Sequence, residues 1–258
     1  MSISLNEYVE AIANKELNTG ETYKLITDID KELNFKYNSF NICIGKQSTG
    51  KTTSILKELI KLSLINKPEF HLIIYVSNND SDDTFNKLKD YINIPIVKVN
   101  YDKINKTFEQ FIQIKDLYNK IVDGQEIDLN EDEIKKIKST LFINNFNIKR
   151  LHTIILMDDA AFILKNEKSP WMKWLCQLRH LNCIVFMCIQ IWKAVPSIIK
   201  TQLSSIQLFP GYSRQQLNHI YQQICVDMKF EQFYEIYTKL NKNMKMIIDN
   251  IDYKVYII

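Results

Sequence analysis

Eight consecutive residues carry the first chemical signal. Gly45-Lys46-Gln47-Ser48-Thr49-Gly50-Lys51-Thr52 sets two glycines five apart and follows the second with a lysine and a hydroxyl residue. A chain that wraps phosphate has this spacing. The glycines allow a tight turn whose backbone N–H groups point inward at phosphate oxygens. Lys51 is placed to reach the β and γ phosphates, and the Thr52 hydroxyl to hold Mg²⁺. Thr53 lies in the first turn of the following helix, within range of the α phosphate. Gly45, Lys46, Gln47, Ser48, Thr49, Gly50, Lys51, Thr52 and Thr53 are therefore the candidate nucleotide contacts.

A second signal lies more than a hundred residues later. Thr153-Ile154-Ile155-Leu156-Met157 runs straight into Asp158-Asp159. A phosphate loop needs a neighbouring strand that delivers a carboxylate to the metal. Asp158 suits that role, as a contact made through water. Asp159 is placed to orient or deprotonate an attacking water. Cys183 to Ile189 is a third apolar run, and Gln190 ends it. A glutamine at such a tip can sit between γ phosphate and water as a sensor.

Elements must hold these groups together. Ser39–Ile44 reads as a strand before the loop, and Lys51–Ile65 as the helix after it, with Ile55, Leu56, Leu59 and Ile60 on one side. Phe70–Ser77, Ile94–Val99, Thr153–Met157, Cys183–Ile189 and Ser204–Phe209 read as further strands. Helical patterns cover Leu5–Ala13, Tyr23–Leu33, Ile104–Val122 and Asn130–Leu141, the last with Asn130 as N-cap and acids in its first turn. Ser169-Pro170 opens a helix running to about Leu181. Ser213 and Gln216 fit a capping box. A helix over Asp227–Leu240 follows, then a hairpin from Met244–Ile248 and Tyr253–Ile257. Apolar strands alternating with helices give the α/β class, with a mainly parallel sheet flanked by helices. The expected organisation is a single domain over 1–258. It has a helical lead-in at 1–38, a core over 39–258 and a small helical insertion at 101–150.

Composition narrows the class. Of 258 residues, 46% are hydrophobic and 24% charged, which argues against disorder and coiled coils. Glycine and proline number five each, too few for long flexible linkers. Glu7, Glu10 and Glu16 argue against a secretory leader, and the longest apolar run is half a membrane span. Five cysteines without a CxxC pair read as buried thiols rather than a zinc site. Lys+Arg is 33 against 30 acids, a balance too mild to prove or exclude a nucleic-acid partner. The arginines are only Arg150, Arg179 and Arg214. Where arginine is scarce, each is a candidate for work that lysine does poorly, such as bidentate phosphate contact.

The order of these features resembles the FtsK–HerA superfamily of DNA translocases over about Ser39–Tyr221. It runs phosphate loop, strand with Asp158-Asp159, helix ending Leu178-Arg179-His180, strand with Gln190, Pro196, then strand with Pro210-Gly211-Tyr212. Within the superfamily it is most similar to the genome-packaging ATPases of large double-stranded DNA viruses of eukaryotes and of virophages. The resemblance implies a RecA-like P-loop ATPase core that binds ATP and Mg²⁺ and works as a ring-shaped homo-oligomer around double-stranded DNA. It implies capsid or portal-vertex proteins as further partners, no membrane, and a place in the host cytoplasm, in the virus factory, and in the virion. Lys51 and Thr52 then bind nucleotide and Mg²⁺, Asp158 holds the metal, Asp159 takes the place of the catalytic acid and Gln190 that of the sensor. Arg179 matches the arginine that reaches a neighbouring subunit's nucleotide. One departure is Asp159, where many members carry glutamate. Lys103, Lys106, Lys135, Lys136, Lys138, Lys193 and Lys200 form the pool for DNA contacts. Rival readings are a small-molecule or nucleotide kinase, another DNA-processing ATPase, and a nucleotide-binding protein without turnover. Three arginines argue against the kinase, whose lid usually carries several. An N-K-x-D motif for GTP is not matched by Asn66-Lys67-Pro68-Glu69, which precedes the second strand.

Overall fold

The apolar runs become the strands of one sheet. In the computed structural model they are β1 (Phe40–Ile44), β2 (Phe70–Val76), β3 (Ile96–Val99), β4 (His152–Met157), β5 (Cys183–Ile189), β6 (Ser205–Leu208), β7 (Met246–Asp249) and β8 (Lys254–Ile257). The structure describes residues 35–65, 70–79, 86, 89, 92–146, 150–164, 170–242 and 244–257. The helices expected over Leu5–Ala13 and Tyr23–Leu33 lie outside these residues.

The strand order is β3-β2-β4-β5-β1-β6-β7-β8. β1 through β6 pair in parallel, while β6–β7 and β7–β8 are antiparallel, so the expected terminal hairpin extends the sheet beyond β6. β1, β2 and β5 are buried along their whole length, as strands covered on both faces must be. Alternation sends the residues of these strands and of β4 to two cores. Ile42, Ile44, Val76, Met157 and Met187 enter one, and Cys43, Tyr75, Leu156 and Phe186 the other.

α1 (Lys51–Ile65) covers the second core with Ile55, Leu56, Leu59 and Ile60. α2 (Ile104–Val122) covers the first with Phe108, Phe111, Ile114 and Tyr118, at the i, i+3, i+4 spacing of one helical face. α3 (Glu131–Leu141) starts at Asn130, whose side chain accepts from the Glu133 N–H at 2.9 Å while Glu133 caps in return. α4 (Ala161–Leu164) and α5 (Pro170–Leu178) follow β4, and a 3₁₀ turn over Arg179–Leu181 leads into β5. After β5 come a 3₁₀ turn over Trp192–Ala194 and α6 (Ser197–Lys200). α7 (Arg214–Tyr221), capped by Ser213 and Gln216, and α8 (Phe230–Thr238) follow β6.

The sheet sets the path of the chain between β3 and β4. β3 and β4 are parallel on either side of β2, so the chain between them must cross over the sheet. α2 is that crossover, and its own Phe108 and Tyr118 are fully buried against the sheet side of the core. α3 adds Ile137 and Leu141 to the same core.

Candidate active site

The carboxyl ends of the parallel strands share one edge, and each delivers one group. β1 ends at Ile44 and turns at Gly45. A Cβ there would lie 2.4 Å from Thr49 Oγ1 and 2.8 Å from Phe209 Cβ, so only glycine fits. Ser48 and Gly50 take left-handed backbone with φ of 58° and 87°, which curls the loop before α1 begins. Lys51 Nζ donates to the carbonyls of Gly45 and Lys46, both at 2.8 Å, and Thr49 Oγ1 donates to Lys46 O at 2.8 Å. The ammonium is thereby folded back over the loop it serves.

β4 brings the acids to the same place. Thr52 Oγ1 donates to Asp158 Oδ1 at 3.1 Å, joining residues 106 apart in sequence. A hydroxyl and a carboxylate side by side are hard oxygen donors of the kind Mg²⁺ takes alongside phosphate oxygens. Among the described residues no group of three or more His, Cys, Asp or Glu is arranged for a protein-only metal cage. The donor set therefore fits a cation shared with phosphate. Asp158 N–H donates to Val76 O and Ala160 N–H to Cys188 O, both at 2.9 Å, so the acidic turn is tied to β2 and β5. Asp159 between them is exposed with φ 49°, a left-handed conformation that aspartate tolerates better than most residues.

Gln47 to Thr53, Asp158, Asp159 and Gln190 line one open cleft of about 800 Å³. The sequence pointed to all of these. It did not point to Ser77, Asn78, Asn79 and Tyr101, which form the far wall beyond β2 and β3. Their signal was positional: residues just past the carboxyl ends of parallel strands face the ligand crevice. Tyr101 donates its hydroxyl to Asp158 O, and its N–H to Asn78 Oδ1 at 2.9 Å. Burial, and then the charge of Asp158, hold the Tyr101 phenol well above its ordinary pKa. Tyr212 donates to Gln190 O at 2.7 Å from the other side. Its phenol is also pushed up, mainly by burial.

The backbone of Arg179 lies away from this cleft. Its 3₁₀ turn precedes β5, at the opposite edge of the sheet, about 20 Å away along seven residues of strand. The other two arginines are engaged within the chain. Arg150 Nε donates to Asp123 Oδ1 at 2.9 Å. Arg214 donates to Glu231 Oε2 at 2.7 Å and lies over the Tyr234 ring at 4.8 Å. Of the lysine pool, Lys200 bonds Gln223 Oε1 at 2.8 Å over the Trp192 ring, while Lys193 is exposed just past Gln190.

No protein-family model and no curated protein matches the sequence. Solved structures do. B204, the DNA-packaging ATPase from Sulfolobus turreted icosahedral virus, is similar with a TM-score of 0.56 at 16% identity, over 86% of this chain and 98% of that one. The genome-packaging NTPase B204 of Sulfolobus turreted icosahedral virus 2, in complex with ATP-gammaS, gives 0.55 at 16%, over 85% and 96%. The cytoplasmic domain of the type VII secretion ATPase EccC from Thermomonospora curvata gives 0.56 at 12%, over 85% of this chain and 25% of that one. This chain shares their fold. The α/β architecture expected from the strand and helix pattern, and RecA-like by the resemblance, is thus the observed one.

Proposed function

We propose that the chain is an Mg²⁺-dependent ATPase that moves double-stranded DNA and packages a viral genome into a preformed capsid. One observation carries the ATPase part: Thr52 of the loop helix and Asp158 of β4 meet at 3.1 Å beside the Lys51 ammonium, in a cleft that also holds Asp159 and Gln190. Fold likeness to the two B204 packaging enzymes supports the DNA part.

Bound in the cleft, Mg-ATP supplies the scissile phosphoanhydride bond and a divalent charge against its oxygens. Loop N–H groups and the Lys51 ammonium bind phosphate oxygens, helped by the N-terminal end of α1. Thr52 and Asp158 hold the cation. The Asp159 carboxylate accepts the proton of the attacking water on an Oδ atom, and the Gln190 amide orients that water. The reading includes a ring of identical subunits, capsid or portal partners and a site of action in the host cytoplasm.

The test is ATP hydrolysis with and without double-stranded DNA, for the full chain and for Lys51→Ala. DNA-stimulated turnover that falls at least about 100-fold in the variant is expected. Near-normal hydrolysis by Lys51→Ala would sink the ATPase assignment. Turnover stimulated by a small phosphoryl acceptor instead of DNA would favour the kinase reading.

A further inference from the structure

The two residues assigned to the attacking water sit at strand tips, where backbone is normally free to swing. Here both tips are pinned by tyrosines from neighbouring loops. The Tyr101 hydroxyl, arriving from the end of β3, donates to the carbonyl of Asp158. That carbonyl belongs to the peptide plane joining Asp158 to Asp159, so its position fixes where the Asp159 Cα and side chain emerge. The planes before and after are held by strand bonds from Asp158 N–H to Val76 O and from Ala160 N–H to Cys188 O. Between them Asp159 holds φ 49°, and the Tyr101 hydroxyl acts at the centre of that turn. The Tyr212 hydroxyl, from the loop after β6, does the same to the carbonyl of Gln190 at 2.7 Å. Tyr212 is itself fixed. Its N–H donates to Tyr237 Oη at 3.0 Å, and the Tyr237 hydroxyl donates to Phe209 O at 2.7 Å.

We infer that Tyr101 and Tyr212 are positioning residues, whose hydroxyls set the carboxylate of Asp159 and the amide of Gln190 for the attacking water. This rests on the ATPase reading above. Each hydroxyl is spent on a main-chain carbonyl, so its effect on chemistry passes through the residue it holds. Misplacing a reacting group by about 1 Å costs on the order of 100-fold in rate.

The experiment uses full-length Tyr101→Phe and Tyr212→Phe, which keep the rings and lose only the hydroxyls. The exposed Tyr256→Phe on β8 serves as control. In nucleotide-free protein, amide hydrogen exchange should quicken at 158–161 in Tyr101→Phe and at 190–193 in Tyr212→Phe, with α1 unchanged. In turnover, kcat should fall about 10- to 100-fold while KM and affinity for a non-hydrolysable ATP analogue stay within about twofold. Unchanged exchange in both variants overturns the bracing, and faster exchange with unchanged kcat overturns its role in positioning. If Tyr101→Phe does not fold, Tyr212→Phe decides by the same two readouts. The exchange readout needs no turnover. A wild-type chain that fails to hydrolyse ATP thus counts against the ATPase reading, while the bracing is still judged by exchange.

Discussion

Asp158 and Asp159 are consecutive, but the turn after β4 sends them to different neighbours. Asp158 is half-buried, with an oxygen on the Thr52 hydroxyl, whereas Asp159 is exposed in left-handed backbone at the cleft wall. Their substitutions should therefore separate. Asp158→Asn removes a metal-binding charge and is expected to weaken nucleotide binding about tenfold or more in the presence of Mg²⁺, and little in its absence. Asp159→Asn is expected to bind nucleotide normally and to turn over at least about 100-fold more slowly. Titration of a fluorescent ATP analogue with and without Mg²⁺, beside single-turnover rates, measures both. Equal losses of binding and turnover in the two variants would contradict the division of roles. The shorter reach of aspartate compared with glutamate adds weight to the fixed backbone around residue 159, since a side chain with fewer torsions inherits more of its position from the main chain.

At the scale of elements, the amino ends of the strands hold a buried polar layer opposite the cleft. His71 on β2 donates from Nδ1 to His152 O at 2.9 Å, and its buried Nε2 has no hydrogen-bond partner among the described residues. Lys115 of α2 reaches Leu151 O at 2.6 Å in the same layer. Burial, and then the Lys115 charge, lower the His71 pKa to about 3 from an ordinary 6.5. Folded His71 is thus neutral where the unfolded chain is already charged, so stability is complete above pH 6.5 and is lost as pH falls toward 3. Between pH 7 and 4 the loss assigned to this residue is about 3 kcal/mol. His71→Gln should show that much less acid sensitivity in urea unfolding at the two pH values, and an equal loss in both proteins would clear His71 of the effect. This layer also explains what the sequence concealed. β1, β5, α1 and α2 were legible because unbroken apolar runs and a regular helical stripe mark them. The crossover role of α2 was not, because Lys115 and Asn119 on its buried face look like a solvated surface until β4 and β5 are placed against them. The loop residues from Gly45 to Thr53, with Asp158, Asp159 and Gln190, were legible because local motifs carry them. The contacts of Tyr101 and Tyr212 were not, since they depend on a strand order that no local pattern encodes.

For the whole molecule, the decisive question is where Arg179 acts. Asp123 engages Arg150 and Glu231 engages Arg214, so two of the three arginines hold intrachain ion pairs. The backbone of Arg179 lies just past the C-terminal end of α5, where a cation favours the helix dipole, and that is a sufficient local reason for a basic residue. The same position is at the edge of the sheet opposite its own cleft, so any part in phosphate chemistry must be played in a second copy. An arginine supplied in trans contributes on the order of 10³–10⁵ in rate in GTPases. Arg179→Ala is therefore expected to keep its nucleotide affinity and lose turnover by at least about 1,000-fold. Mixing inactive Arg179→Ala with inactive Asp159→Asn subunits should then restore activity, because some interfaces pair an intact arginine with an intact acid. Activity titrated against the mixing ratio, with native mass spectrometry to count mixed assemblies, makes the comparison. A mixture that stays inactive while mixed assemblies form leaves Arg179 only its place at the end of α5.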